Sequence, residues 1–228
     1  MRRTKLANRI LPTYTKGEEI FNMTSHIVGG VFGIAATVLC VVMASINHNT
    51  YGIVSGAIYG FTVILLYVIS SIYHGLKSNT TAKKVFQVLD HCSIFILIAG
   101  SYTPVCLLVL EPKLGIPMMI AIWSITIIGI LIKFFWITCP KWFSSVIYIA
   151  MGWLCVFCMK PLVNEITPQA FFWLLSGGVI YTIGGVIYAL KMPLFNAKHK
   201  VFGTHEIFHV FVMLGSLCHY IFMYALIM

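Results

Sequence analysis

Charge is scarce in this sequence. Only 9% of its 228 residues are Asp, Glu, Lys or Arg, against roughly 25% in a soluble globular domain. That shortage, with 60% hydrophobic residues and a mean hydropathy of +0.95, excludes an ordinary soluble fold. It also leaves no room for a separate soluble module. Acidic residues are the scarcest: six, against fifteen Lys and Arg, for a formal charge of +9. The excess does not describe a nucleic-acid binder, because it lies in short loops and an N-terminal arm and not on a soluble basic module. It suits topology signals and contacts to anionic lipid headgroups. A disulfide framework is lacking too. The seven cysteines are an odd number, and most fall in apolar runs, where a thiol behaves as a small hydrophobe. Cys155 and Cys158 have C-x-x-C spacing but sit mid-run, without the βαβ context of a redox motif. There is no internal repeat and no low-complexity tract. No A-x-A-like cleavage site follows the first apolar run, so that run is expected to be a retained span and not a signal peptide.

What the chain does have is long uncharged runs. They cover residues 27–46, 51–73, 92–110, 114–132, 142–159, 170–190 and 207–228. Each is close to the ~20 apolar residues that carry a helix across a bilayer core. The expectation is an all-α, polytopic membrane protein with seven transmembrane helices: a basic arm over 1–24, then one transmembrane domain over 25–228. Short loops make sequential helices antiparallel neighbours. The third and seventh helices should begin before their uncharged runs, taking in Asp90 and His205. Pro104, beside Ser101 and Thr103, should kink the third helix.

The basic residues orient the bundle. Five lie in the arm (Arg2, Arg3, Lys5, Arg9, Lys16), three in the second loop (Lys77, Lys83, Lys84), two flank the fourth (Lys133, Lys141) and three lie in the sixth (Lys191, Lys198, Lys200). The opposite side has Lys113 and Lys160 only. The positive-inside rule then places the N-terminus in the cytoplasm and the C-terminus outside.

On that topology three polar groups reach one layer at the cytoplasmic face. His74 ends the second helix, Asp90 lies about two turns into the third, and His205 and His209 open the seventh. Histidines and a carboxylate at one depth in lipid are costly, and a metal ion or a proton path compensates them. His205 and His209 are i, i+4 on one helix face and can share an ion. Ser70 and His74 have the same spacing, so Ser70 could orient the imidazole. Three neutral imidazoles suit zinc and leave a fourth position for water, which Asp90 could hold or deprotonate.

A lone histidine in a helix is more often a hydrogen-bonded core residue than a ligand, and the others here fit that reading better. His91 lies about 100° around the helix from Asp90. His219 lies about 21 Å deeper than His205, where it could line a cavity or bridge helices. His26 is a weaker candidate, and His48 and His199 are loop residues. His205-Glu206-x-x-His209 matches H-E-x-x-H, in which the Glu is a general base. Glu206 could serve as that base, or it could face the lipid headgroups at a helix N-terminus, where a carboxylate is favoured.

In combination and in order, several motifs resemble the hemolysin III family. They are Glu18-Glu19-Ile20-Phe21-Asn22 with His26, Ser70 with His74, Leu89-Asp90-His91-Cys92, Gly100-Ser101-Tyr102-Thr103-Pro104, His205 with His209, and His219-Tyr220. That family is grouped with the adiponectin and progestin receptors and, more distantly, the alkaline ceramidases. The resemblance implies zinc on His74, His205 and His209, with Asp90 on the zinc-bound water and Ser70 nearby. It implies a lipid-accessible cavity in the cell membrane, with a membrane lipid as substrate or ligand. In the ceramidase and receptor relatives it implies hydrolysis of a lipid amide, and in the bacterial branch a haemolytic phenotype and a part in membrane-lipid homeostasis. Three functions follow: a zinc-dependent lipid amide or ester hydrolase, a receptor-like regulator with structural zinc, and a cytolytic pore. No amphipathic, secreted pore-forming segment supports the last.

Overall fold

Each apolar run becomes a helix, and seven are long and apolar enough to cross a membrane. The computed structural model describes residues 10–190 and 202–228. Residues 1–9, and the sixth-loop basic residues with His199, lie outside the described residues. The elements are α1 (Lys16–Ile46), α2 (Thr50–Gly75), α3 (Thr81–Pro104), α4 (Pro112–Phe135), α5 (Lys141–Gly152), α6 (Met159–Glu165), α7 (Pro168–Leu190) and α8 (Thr204–Ile227). A wider, π-helical turn at Val105–Val109 prolongs α3, and a 3₁₀ stretch at Leu154–Cys158 joins α5 to α6 into one span. No strand occurs among the described residues.

Local signals set the helix starts. Thr15 Oγ1 accepts the Glu18 N–H at 3.2 Å while Glu18 Oε2 accepts the Thr15 N–H at 2.7 Å, a reciprocal capping box. That is why α1 begins at Lys16, well before the uncharged run at 27. Asn49 and Thr80 cap α2 and α3 with single side-chain bonds, accepting the N–H groups of Gly52 and Lys83. As the sequence predicts, the third and seventh spans begin early enough to include Asp90 and His205.

The inner face of α1 is built from Asn22, His26, Gly29, Gly33, Ala36 and Cys40, and its outer face from residues such as Val28, Val31 and Val38, each more than half exposed. Polar and small residues inside with branched apolar residues outside are the pattern expected of a helix facing lipid. α1 packs mainly on α2, α2 on α3, and α7 on α8. Gly100 of α3 lets α2 approach closely, because a Cβ there would fall within the Thr62 side chain.

The helix irregularities have identifiable causes. Pro104 has no N–H to donate, and the π-helical turn follows it directly. In the fifth span, Tyr102 Oη donates to the carbonyls of Met151 (3.0 Å) and Gly152 (2.8 Å) and accepts the Cys155 N–H at 2.9 Å. One phenol therefore satisfies the backbone groups freed where α5 passes into the 3₁₀ stretch, as lipid requires.

Candidate metal centre

His74 ends α2, while His205 and His209 occupy the first turns of α8. The helices meet at the end of the bundle that carries Lys83 and Lys133. One ring nitrogen from each of the three imidazoles lies within 4.8 Å of the others, a grouping that could hold a metal ion. His74 Nε2 and His205 Nε2 stand 3.2 Å apart. A tetrahedral ion with bonds of about 2.0–2.1 Å holds its ligand atoms roughly 3.3 Å apart, so the spacing fits. His74 and His209 are buried, at 3% and 2% exposure. Nδ1 of His205 has no hydrogen-bond partner among the described residues.

His74 is oriented from behind. Its Nδ1 lies 2.7 Å from Glu19 Oε2, so the carboxylate takes the Nδ1 proton and leaves the Nε2 lone pair facing the cluster. Glu19 Oε1 in turn accepts from Lys83 Nζ at 2.6 Å, and the same ammonium donates to the Leu76 carbonyl at 3.0 Å. The chain of contacts thus runs Lys83–Glu19–His74 across three helices. His26 stacks on His209, with centroids 3.7 Å apart and planes 11° from parallel. Tyr14, from the segment before α1, stacks on His205 at 5.0 Å. Burial raises the Tyr14 phenol well above the usual tyrosine range, so it stays neutral beside the imidazoles.

Asp90 of α3 lies within electrostatic reach of His74 and beside Ser70. Ser70 is 1% exposed, and its Oγ makes no hydrogen bond of ordinary geometry. His91 points elsewhere: its Nδ1 bonds the Gln87 carbonyl at 2.8 Å and is 3.8 Å from Asp90 Oδ2. Glu206 is 1% exposed with both oxygens engaged, one by Asn22 Nδ2 at 2.7 Å and the other by the Gly203 N–H at 2.8 Å. It caps α8 and ties it to α1. Glu206 therefore stands at a helix N-terminus but is buried against α1 and does not face lipid headgroups.

His205, His209, Ser70 and Asp90 line one chamber of about 610 Å³, and His74 stands behind them, its Nε2 3.2 Å from that of His205. Beyond them the chamber wall is largely apolar, with Leu97, Ile98, Val105, Leu162 and Val212, and it reaches His219. His219 is packed edge-on to Tyr181 at 5.2 Å, with Gly177 making room for its ring. Sequence reasoning assigned no role to Glu19 or to the stacking of His26. A signal was present: residues seven apart are about 20° from eclipsed on a helix, so Glu19 and His26 share the inward face of α1.

Comparison with known proteins agrees with this architecture. The chain is 35% identical over 199 residues to Hemolysin-3 of Bacillus cereus, covering 87% of each chain. It is 34% identical over 203 residues to a Hemolysin-3 homolog of Bacillus subtilis (strain 168), covering 89% of this chain and 91% of the relative. A more distant match, 26% over 223 residues, is an adiponectin receptor protein of Drosophila melanogaster, of which 49% is covered. Residues 14–220 match the family described as haemolysin-III related. With its seven spanning helices and this match over nearly its whole length, the chain is a multi-pass membrane protein of the haemolysin-III-related family.

Proposed function

We propose that the protein is a zinc-dependent intramembrane hydrolase of a lipid amide or ester, contributing to membrane-lipid homeostasis. The observation that carries this reading is the convergence of three imidazoles, two of which, His205 and His209, line a 610 Å³ chamber together with Ser70 and Asp90. A structural site is normally closed, whereas a catalytic one keeps a position open to water and substrate. His74, His205 and His209 would hold the ion, and imidazole ligands suit zinc. When bound, zinc polarises a carbonyl and lowers the pKa of water.

The remaining work falls to the chain's own residues. Asp90 accepts the proton of the attacking water and returns it to the leaving group. Ser70, whose Oγ has no other hydrogen bond, donates to the substrate carbonyl or to Asp90. Glu19 fixes the His74 tautomer, and Lys83 holds Glu19 ionised. The apolar wall takes the acyl chain. The order of the loops in the sequence, with thirteen cations in those of one side against Lys113 and Lys160 in those of the other, supports a cytoplasmic N-terminus and entry of water from that side.

The likeness to a protein named an adiponectin receptor favours a second reading, a receptor-like regulator whose metal is structural. Turnover separates the two. Purified protein in nanodiscs, given long-chain N-acyl amides and esters, is expected to release fatty acid, and chelation is expected to stop release until zinc is restored. Equal release by chelated and His205→Ala protein would overturn the hydrolase. Zinc-dependent folding without any released product would favour the regulator.

A further inference from the structure

Lys133 is buried at 2% exposure in the last turn of α4. Its ammonium bonds Ser144 Oγ, reaches Cys139 Sγ at 3.3 Å, and lies 5.8 Å from the Tyr148 ring centre. None of these partners carries a full negative charge. The chain has only six acidic residues with which to neutralise it. Glu18 caps α1, Glu19 pairs with Lys83 and His74, and Glu206 caps α8. Asp90 lies beside Ser70 and His91. Glu111 and Glu165 lie at the far ends of their helices, about 33 Å along the axis in the case of Glu111. Residues 1–9 and 191–201 contain no Asp or Glu. A buried ammonium without a counter-charge is costly in a membrane protein, and such groups mark ligand sites.

The lysine does not stand alone. Lys133, Lys141, Ser144, Ser145 and Tyr148 line the same chamber as His205 and His209. Lys141 Nζ sits 4.2 Å from the Tyr188 ring centre, and the Tyr188 ring is 5.8 Å from that of His205. A single aromatic ring therefore separates this cationic wall from an imidazole of the metal centre.

We infer that Lys133, Lys141 and Ser144 form a subsite for an anionic group, a phosphate or carboxylate, on the amphiphile held in the chamber. The anion supplies the counter-charge that Lys133 lacks among the described residues, and the serine hydroxyl adds a neutral donor. With the anion held there and the chain on the apolar wall, the bond between them lies toward the histidines. The inference rests on the chamber being a lipid site, but its test reads binding and needs no turnover.

Full-length, metal-loaded protein in a non-ionic detergent would be titrated with dodecyl phosphate, dodecanol and inorganic phosphate. Dodecyl phosphate is expected to bind at least about tenfold more tightly than dodecanol, as one charge-assisted hydrogen bond provides. In Lys133→Met the preference should fall to about twofold or less. Inorganic phosphate binding as tightly as dodecyl phosphate, and lost in Lys133→Met, supports the anion site with free phosphate as its occupant. Equal binding of the two amphiphiles by wild type overturns the inference. So does a preference that survives Lys133→Met, since the metal would then be holding the headgroup. Should Lys133→Met not fold, Lys141→Gln decides: a preference reduced about threefold is expected of this half-buried cation, and an unchanged one overturns the site. A protein that keeps the preference but hydrolyses nothing would overturn the hydrolase reading alone.

Discussion

Asp90→Asn is expected to lower lipid turnover by about 10²–10⁴-fold, the usual worth of a positioned general base, while the protein still binds its metal. The substitution keeps the size and hydrogen-bonding reach of the side chain and removes only its ability to take a proton. Asp90 is not one of the three groups that could share the ion, so its loss should not empty the site. The comparison needs two numbers from one preparation: rate of fatty-acid release and metal per chain. A fall in both would make Asp90 a structural partner of the site. Full turnover by the variant would remove it from the chemistry altogether.

Glu19 is the second large effect. Its carboxylate takes the Nδ1 proton of His74 at 2.7 Å and binds the buried Lys83 ammonium at 2.6 Å. Glu19→Gln keeps the shape but no longer compels the tautomer that aims Nε2 at the cluster. Metal affinity should fall about 10–100-fold, as it does when such outer partners of ligating histidines are changed. Glu19→Ala should go further and cost about 3 kcal/mol of stability, because it leaves a buried ammonium without its partner. Competition with a zinc indicator reads the first effect, and thermal unfolding in detergent reads the second. Equal metal affinity in wild type and Glu19→Gln would show that His74 is oriented by packing alone.

These two residues also show what a sequence can disclose. Asp90 was legible, because a carboxylate two turns into a spanning helix has no cheap explanation, and helix geometry sets its depth. The i, i+4 pairs His205–His209 and Ser70–His74 were legible for the same reason, as were the seven spans, since bilayer thickness fixes the length of an uncharged run. Glu19 was not. It stands near the start of the first helix, where an acidic residue is favoured by the helix dipole alone, and its partners Lys83 and His74 are 64 and 55 residues away.

Lysines were ambiguous in the same way. Lys83 and Lys133 read as loop charges that set topology, yet both are buried, one against Glu19 and the other against Ser144. A positive charge near a helix end serves orientation equally well whether it faces water or the bundle. Periodicity could not separate the two, because each lies within a turn or two of a loop. The break in the fifth span was hidden as well: nothing in Met151-Gly152-Trp153 announces it, and the hydroxyl that satisfies it comes from Tyr102 on another helix. Glu206 shows the converse limit. The H-E-x-x-H spelling is present, but the carboxylate is held by Asn22 and Gly203, and spelling alone does not reveal a side chain's direction.

Everything proposed for the chamber depends on His74, His205 and His209 together binding one metal ion. The most direct test is the metal content of detergent-purified protein, wild type beside His74→Ala, His205→Ala and His209→Ala, each checked for folding by its thermal transition. One zinc per chain is expected in wild type, with loss of it in all three variants. A well-folded wild type that binds no metal when zinc is supplied would contradict it, and the histidines would then be a proton path or a set of helix bridges.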